Sequence, residues 1–333
     1  MNNKKVINAV AGSGKTTLII DRLDLKKKTL ILTYTTENQN HLKKKIIQKF
    51  SSFPNNIFVF GYFEFLLNFI VKPLSPYPIK NICYEKPNPR NPSPFNKNKD
   101  LIYSNRIAKY ILNHLPEFKN RMEKYFDEIL IDEMQDLASD DFMWMMSLSK
   151  LNLPVMLVGD FYQSTFSSSI RGNHLKNLYK DFFSYREIVE SFGYEFDTEL
   201  LVKSRRCTIT ACDFVKKNLN ILIESDKQVI SRVELITKPQ EIEQVLVNSE
   251  IKKLFYMNSH KYQLNAGNWG GTKGMTYENI CVVLNETTYK HYKSKSLHEL
   301  NPQTKSKFYV ACTRSLNDVL FIREKDIPKK YKM

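Results

Sequence analysis

KKVINAVAGSGKTTLIIDRL, residues 4–23, decides the fold. The apolar run KKVINAV reads as a buried strand that passes straight into a glycine-rich loop, and TLIIDRL continues as a helix. Gly12 and Gly14 let the backbone curl so that successive N–H groups point at phosphate oxygens. The helix N-terminus beyond them adds its positive dipole end. In such a loop Lys15 reaches the β- and γ-phosphates, and the Thr16 hydroxyl ligates Mg²⁺. Ala9 stands where the usual first glycine would be. The strand–loop–helix context nonetheless outweighs a chance Gly/Ser turn.

ILIDEMQD, residues 129–136, supplies the complementary half. Its apolar start reads as a buried parallel strand, with acids just beyond the C-terminal end, where open α/β sheets bind ligands. Asp132 is placed to hold Mg²⁺, and Glu133 to polarise an attacking water as general base. A second strand, VMLVGD at 155–160, also ends in an acid and is followed by Gln163, a residue type that senses a γ-phosphate. Either acidic end alone suits a solvated helix cap equally well. Together, behind a phosphate loop, they specify an ATPase that uses ATP and Mg²⁺.

Eight segments in order then carry a family resemblance: AVAGSGKT (9–16), LTYTTENQ (32–39), VFGYFEF (59–65), IDEMQD (131–136), VGDFYQSTF (158–166), LVKSRRC (201–207), GGTKGMTYENICVVL (270–284) and FYVACTRS (308–315). The chain resembles superfamily 1 helicases of the UvrD/Rep/PcrA type across nearly its whole length. The resemblance implies an α/β fold of two tandem RecA-like parallel-sheet domains with the ATP site in the cleft between them. It assigns ATP contacts to Ala11, Gly12, Ser13, Gly14, Lys15, Thr16, Thr17, Arg205 and Gly274. Arg206 and Arg314 match arginines that stabilise charge on the phosphoryl group, and Arg314 is the counterpart of the arginine finger. Single-strand contacts fall on Tyr34, Tyr62 and Phe63, on Phe166 and Arg171 after Gln163, and on Trp269 as a second platform. Each of these aromatics alone is more often core packing than a base stack.

The departures from the family pattern matter. The chain begins too late for the upstream glutamine motif that reads adenine. Thr17 replaces the arginine that commonly follows the phosphate loop, Thr276 replaces a ribose-binding glutamate, and Arg205 stands where a tyrosine stacks on the base. A guanidinium also stacks on bases, so Arg205 is a replacement platform and base-tolerant NTP use is plausible.

Strands at 4–10, 29–33, 57–60, 129–132 and 155–158 alternate with helical patterns, the mark of a doubly wound sheet. Seven of the thirteen prolines lie between 73 and 94, which argues against a regular element there, and 99–125 reads as helix. In the resembled family this interval holds a DNA-contacting insertion; a roleless surface loop is the bland alternative. Residues 172–192 read as a helix closing the first domain, followed by a strand near 195–203 and a further α/β run. The expected division is residues 1–190, with the insertion about 72–125, and residues 191–333.

At 333 residues and 42% hydrophobic content, two cores can be buried. No apolar run reaches the ~18 residues of a membrane span, and a strand at the very start leaves no space for a signal peptide. Cysteines 83, 207, 212, 281 and 312 show no metal spacing, so a reduced, cytoplasmic protein is expected. A net charge of +15 suits a polyanionic partner, although a lysine-rich surface from an AT-rich genome has the same composition. The leading expectation is an ATP-dependent 3′→5′ translocase on single-stranded nucleic acid, DNA favoured over RNA. The alternative is a nucleotide-gated switch regulating a partner nuclease. A metabolic kinase leaves LVKSRRC and FYVACTRS unexplained.

Overall fold

The structure, a computed structural model, describes residues 3–165, 175 and 177–333. These fall into two compact units. The first takes in the described residues of 1–8, 15–159 and 166–197. Its strands in chain order are β1 (Lys4–Asn8), β2 (Thr29–Thr33), β3 (Ile57–Gly61), β4 (Asn81–Cys83), β5 (Leu101–Tyr103), β6 (Glu128–Asp132), β7 (Val155–Gly159) and β8 (Glu195–Asp197). Six of them form one sheet in the order β3-β2-β6-β7-β1-β8, with every adjacent pair parallel. Strands β2, β6 and β7 are buried at every position, as expected for a parallel sheet covered on both faces. Even Glu128 is buried at the start of β6, where it takes the Arg22 guanidinium at 2.6 Å.

The register pairs Asn8 with Gly159, Val158 with Asp132, and Thr33 with Gly61. It therefore aligns the C-terminal ends of five strands along one edge. That edge carries the start of the phosphate loop, the Asp132–Glu133 acids and the turns after β2 and β3.

The helices follow local rules. Thr35 caps the helix Thr36–Phe50 by accepting the Asn38 N–H, and Asp181 caps Phe182–Ser191 through the Ser184 N–H. The helix read over 172–192 is thus present over its second part only among the described residues. Two further sequence expectations are corrected. The proline-rich interval contains β4, which pairs in parallel with β5; Asn81–Cys83 lie between Pro78 and Pro87 and keep their backbone donors. The segment 99–125 begins as β5, turns helical at Ile107–His114, breaks at Pro116 and resumes at Phe118–Tyr125. In addition, the strand near 195–203 splits. Glu195–Asp197 pairs with β1 at the edge of the first sheet, and only Lys203–Ser204 belongs to the second unit.

The second unit consists of residues 9–14, 160–165 and 198–333. It adds β9 (Lys203–Ser204), β10 (Glu224–Ser225), β11 (Val233–Leu235), β12 (Ile251–Phe255), β13 (Ala266–Asn268), β14 (Asn279–Leu284) and β15 (Val319–Arg323). The main sheet runs β11-β15-β14-β12-β13, again all parallel. Strand alternation divides its core in two. Ile280, Val282, Leu284, Val319 and Phe321 meet the helices Ile209–Leu219 and Pro302–Cys312. Cys281, Val283, Leu320 and Ile322 meet Ile242, Val245 and Leu246 of Pro239–Val247 on the opposite face. No described helix is long and apolar enough to cross a membrane.

Gly159 marks a close approach at the end of β7. A Cβ there would lie 2.7 Å from Met134 Cγ, 3.1 Å from the Met134 nitrogen and within contact of the buried Gln135 amide oxygen. Gly159→Ala is expected to lower the free energy of unfolding by about 1–3 kcal/mol, read as a shifted urea midpoint.

Candidate nucleotide site

In the first unit, Lys15 opens the helix Lys15–Arg22, and its Nζ stands 3.9 Å from Glu133 Oε1. Glu133 follows β6 with φ at 56°, a left-handed backbone that a side-chain-bearing residue rarely adopts and that costs about 1–3 kcal/mol. The strained backbone turns its carboxylate away from the line of the strand. Gln135, fully buried, donates its Nε2 to Glu133 Oε2, and Asp132 Oδ1 accepts the Glu133 N–H at 3.0 Å. The glutamine that served as a family marker in the sequence therefore has a physical task. It orients the acid expected to act as base, and no spacing rule reveals that.

The second unit holds the curled part of the loop. Gly12 has φ +74° and Gly14 has φ +95°. Residues 201–206 run alongside: the Val10 N–H donates to Leu201 O at 3.0 Å, Ser204 Oγ to Ala11 O at 2.7 Å, and the Arg205 N–H to Gly12 O at 2.9 Å. The Arg205 guanidinium lies 3.3 Å from where a Gly14 side chain would begin, so this arginine sits at the phosphate loop. Ser13 is buried and bonds its hydroxyl to Val10 O at 2.8 Å.

Arg314 is only 1% exposed. Its guanidinium donates to Val310 O at 3.0 Å, Gln163 Oε1 at 3.3 Å, Thr313 Oγ1 at 3.4 Å and Met275 O at 3.5 Å, all uncharged oxygens. Burial, and after it the neighbouring Arg206 charge, pull its pKa down to about 10, which leaves it cationic at neutral pH. Arg206 donates to Thr313 O at 3.2 Å, and burial lowers its pKa too. Gln163 in turn gives its amide hydrogens to Asp160 Oδ2 at 2.8 Å. A buried cation held by neutral oxygens, in the unit that holds residues 9–14 of the loop, is suited to stabilise an anion.

The family described as viral superfamily 1 RNA helicase core domain matches residues 103–323. The chain belongs to this helicase family. No curated protein matches it. Among solved structures it is similar to the PRRSV helicase, with 13% identity over 100% of this chain and 55% of that one and a TM-score of 0.49. It is also similar to Arterivirus nonstructural protein 10, a helicase solved with DNA, with 13% identity over 98% of this chain and 63% of that one and a TM-score of 0.51. The latter shows a shared fold. The chain spans 55–63% of the length of these two structures.

The remaining expected residues of this helicase-family chain divide. Thr16 is half-buried and Thr17 exposed in the first turn of their helix, and Gly274 is exposed with φ +84°. Tyr34 and Phe63 are half-buried with ring centroids 5.8 Å apart. Tyr62 is corrected to a core residue: it is 2% exposed, donates its hydroxyl to Asp141 at 2.9 Å and packs edge-on against Trp144. Trp269 is corrected likewise. It is fully buried, donates Nε1–H to Leu254 O at 2.7 Å and packs on Phe308, so it offers no platform. Phe166 and Arg171 lie outside the described residues. Tyr84, not singled out from sequence, is 71% exposed and its ring stands 6.1 Å from that of Phe63. An aromatic in a polar, proline-rich stretch was the available signal.

Gly12→Ala tests the loop packing. A Cβ there would sit 2.7 Å from Arg206 Cβ and 3.0 Å from Ser204 Oγ, on a backbone with positive φ. The variant is expected to lose about 1–3 kcal/mol of stability and the rise in Tm that nucleotide induces, read by thermal unfolding with and without ATP.

Proposed function

We propose that this chain is an ATP-driven translocase that moves 3′→5′ on single-stranded DNA. The observation that carries the reading is the buried Arg314 guanidinium, bonded to neutral oxygens and linked through Gln163 to Asp160. Hydrolysis of a phosphoanhydride builds negative charge on the transferred phosphoryl oxygens, and a desolvated, preorganised cation stabilises that charge most effectively. Membership of a helicase family supports turnover coupled to nucleic acid. The UvrD/Rep/PcrA-like spelling of the motifs supports the 3′→5′ polarity and the preference for DNA.

In this reading Lys15 and the loop amides of residues 11–16 bind the phosphates, and Arg205, at the loop, is the replacement platform for the base. Loose recognition of the base follows. Glu133, held by Gln135, takes the proton of the attacking water, while Gln163 orients the γ-phosphate side. Arg206 and Arg314 stabilise the developing charge. Thr16 and Asp132 are hard oxygen donors of the kind Mg²⁺ takes together with phosphates and waters. Thr16 and Asp132 would hold Mg²⁺, which would supply positive charge beside the phosphates.

The single strand is read by Tyr34, Phe63 and the exposed Tyr84 as a stepped aromatic edge. Two residues on, Lys86 lines a groove of about 1080 Å³ with Arg106, Lys109 and His114, which suits a phosphate backbone.

Phosphate release measured with single-stranded DNA, duplex DNA and RNA, and displacement from 3′-tailed and 5′-tailed duplexes, test the proposal. Single-stranded DNA is expected to stimulate most and the 3′ tail to support displacement. Lys15→Ala is expected to cut turnover by about 10²–10³-fold. Stronger stimulation by RNA, or displacement only from the 5′ tail, refutes the assigned substrate or direction. Tyr84→Ala is expected to weaken single-strand binding by about 1–3 kcal/mol in a fluorescence-anisotropy titration, with ATP binding unchanged.

A further inference from the structure

We propose that Tyr309 is a positioning residue that holds the phosphate loop and the Gln163–Arg314 pair in one arrangement; this rests on the ATPase reading above. Tyr309 lies in the helix Pro302–Cys312 and is fully buried. Its hydroxyl accepts the Ala11 N–H at 2.9 Å and stands 3.0 Å from Asp160 Oδ2. A phenol has one proton. With the Ala11 amide donating to the oxygen, that proton goes to Asp160.

The direction of every further bond is then set. Asp160 is a carboxylate and can only accept: Oδ1 takes the Tyr162 N–H at 3.1 Å, and Oδ2 takes both the Tyr309 hydroxyl and Gln163 Nε2 at 2.8 Å. Gln163 must therefore present its NH₂ to Asp160, and its carbonyl oxygen is left to receive Arg314 Nη2 at 3.3 Å. A flipped Gln163 amide would set an oxygen against a carboxylate and an NH₂ against a guanidinium. The chain of bonds from the loop amide to the arginine thus has one satisfactory arrangement, and Tyr309 ties it to the loop. Burial, reinforced by the Asp160 charge, drives the phenol pKa well up, so the hydroxyl remains a donor at working pH.

A phenylalanine would fill the same space against Tyr162, whose ring centroid lies 6.0 Å away, while removing the tie. A tyrosine that serves packing alone predicts a change in stability and none in the catalytic step. The two roles separate in the full-length chain by steady-state kinetics at saturating single-stranded DNA. Wild type, Tyr309→Phe, Gln163→Ala and the double variant are compared, each with its thermal midpoint. Tyr309→Phe is expected to lower kcat by about tenfold or more while the KM for ATP stays within about threefold. The double variant is expected to be little worse than Gln163→Ala, because both act through one network.

An unaltered kcat in Tyr309→Phe, or losses that multiply in the double variant, overturns the role. Should Tyr309→Phe melt below the assay temperature, the isosteric Asp160→Asn reads the same link and must show the same fall in kcat; an unimpaired Asp160→Asn overturns the role as well. A wild-type chain without ATP turnover removes the function and this role together. An active wild type with an unimpaired Tyr309→Phe removes this role alone.

Discussion

A loop that offers its amides to phosphate cannot spend its backbone groups within a strand or helix, yet buried backbone groups must be bonded. Here the opening of the loop is satisfied from a distant part of the chain. Leu201 receives the Val10 amide, Ser204 covers the Ala11 carbonyl, Arg205 covers that of Gly12, and Tyr309 receives the Ala11 amide. Gly12 is glycine as much for this packing as for its positive φ, since Arg206 and Ser204 occupy the space a side chain would need. The segment 201–206 and the helix Pro302–Cys312 bond directly to the opening of the loop, and Asp160 after β7 joins them through Tyr309.

The acidic end of β6 meets a different constraint. Two carboxylates in sequence would follow the strand to opposite sides. The left-handed backbone at Glu133 breaks that alternation, and Gln135 holds the displaced side chain. The glutamine fits only because Gly159 has no side chain. Local strain at Glu133, the buried amide and the bare glycine are therefore one device for aiming an acid.

Charge is handled by unequal burial. Arg314 and Arg206 are desolvated and bonded to neutral oxygens, whereas most ion pairs lie in exposed positions and contribute little to stability. A buried guanidinium without a bonded carboxylate raises the energy of the protein alone, a cost that an anion bound beside it would relieve. Lys4 and Lys253 are likewise buried, lowered in pKa by desolvation and bonded to backbone carbonyls, so buried cations are not confined to the residues where chemistry is proposed.

The sequence by itself determined most strands of the two main sheets and the motifs they carry, but not β4, β5 or the split at 195–204. Phosphate loops, buried parallel strands and acidic strand ends are local patterns, and β2 at Thr29–Thr33 and β7 at Val155–Gly159 lie where the apolar runs place them. The superfamily was legible for the same reason, since its motifs are short and contiguous. Burial was not legible: Tyr62, Trp269 and Tyr84 are all aromatics outside regular apolar runs, and only packing decides that the first two are core while the third faces solvent. Nor were long-range hydrogen bonds, such as Ala11 to Tyr309, 298 residues apart. Such a bond depends on where a loop and a helix come to rest after the whole chain between them has folded, and no local pattern encodes that position.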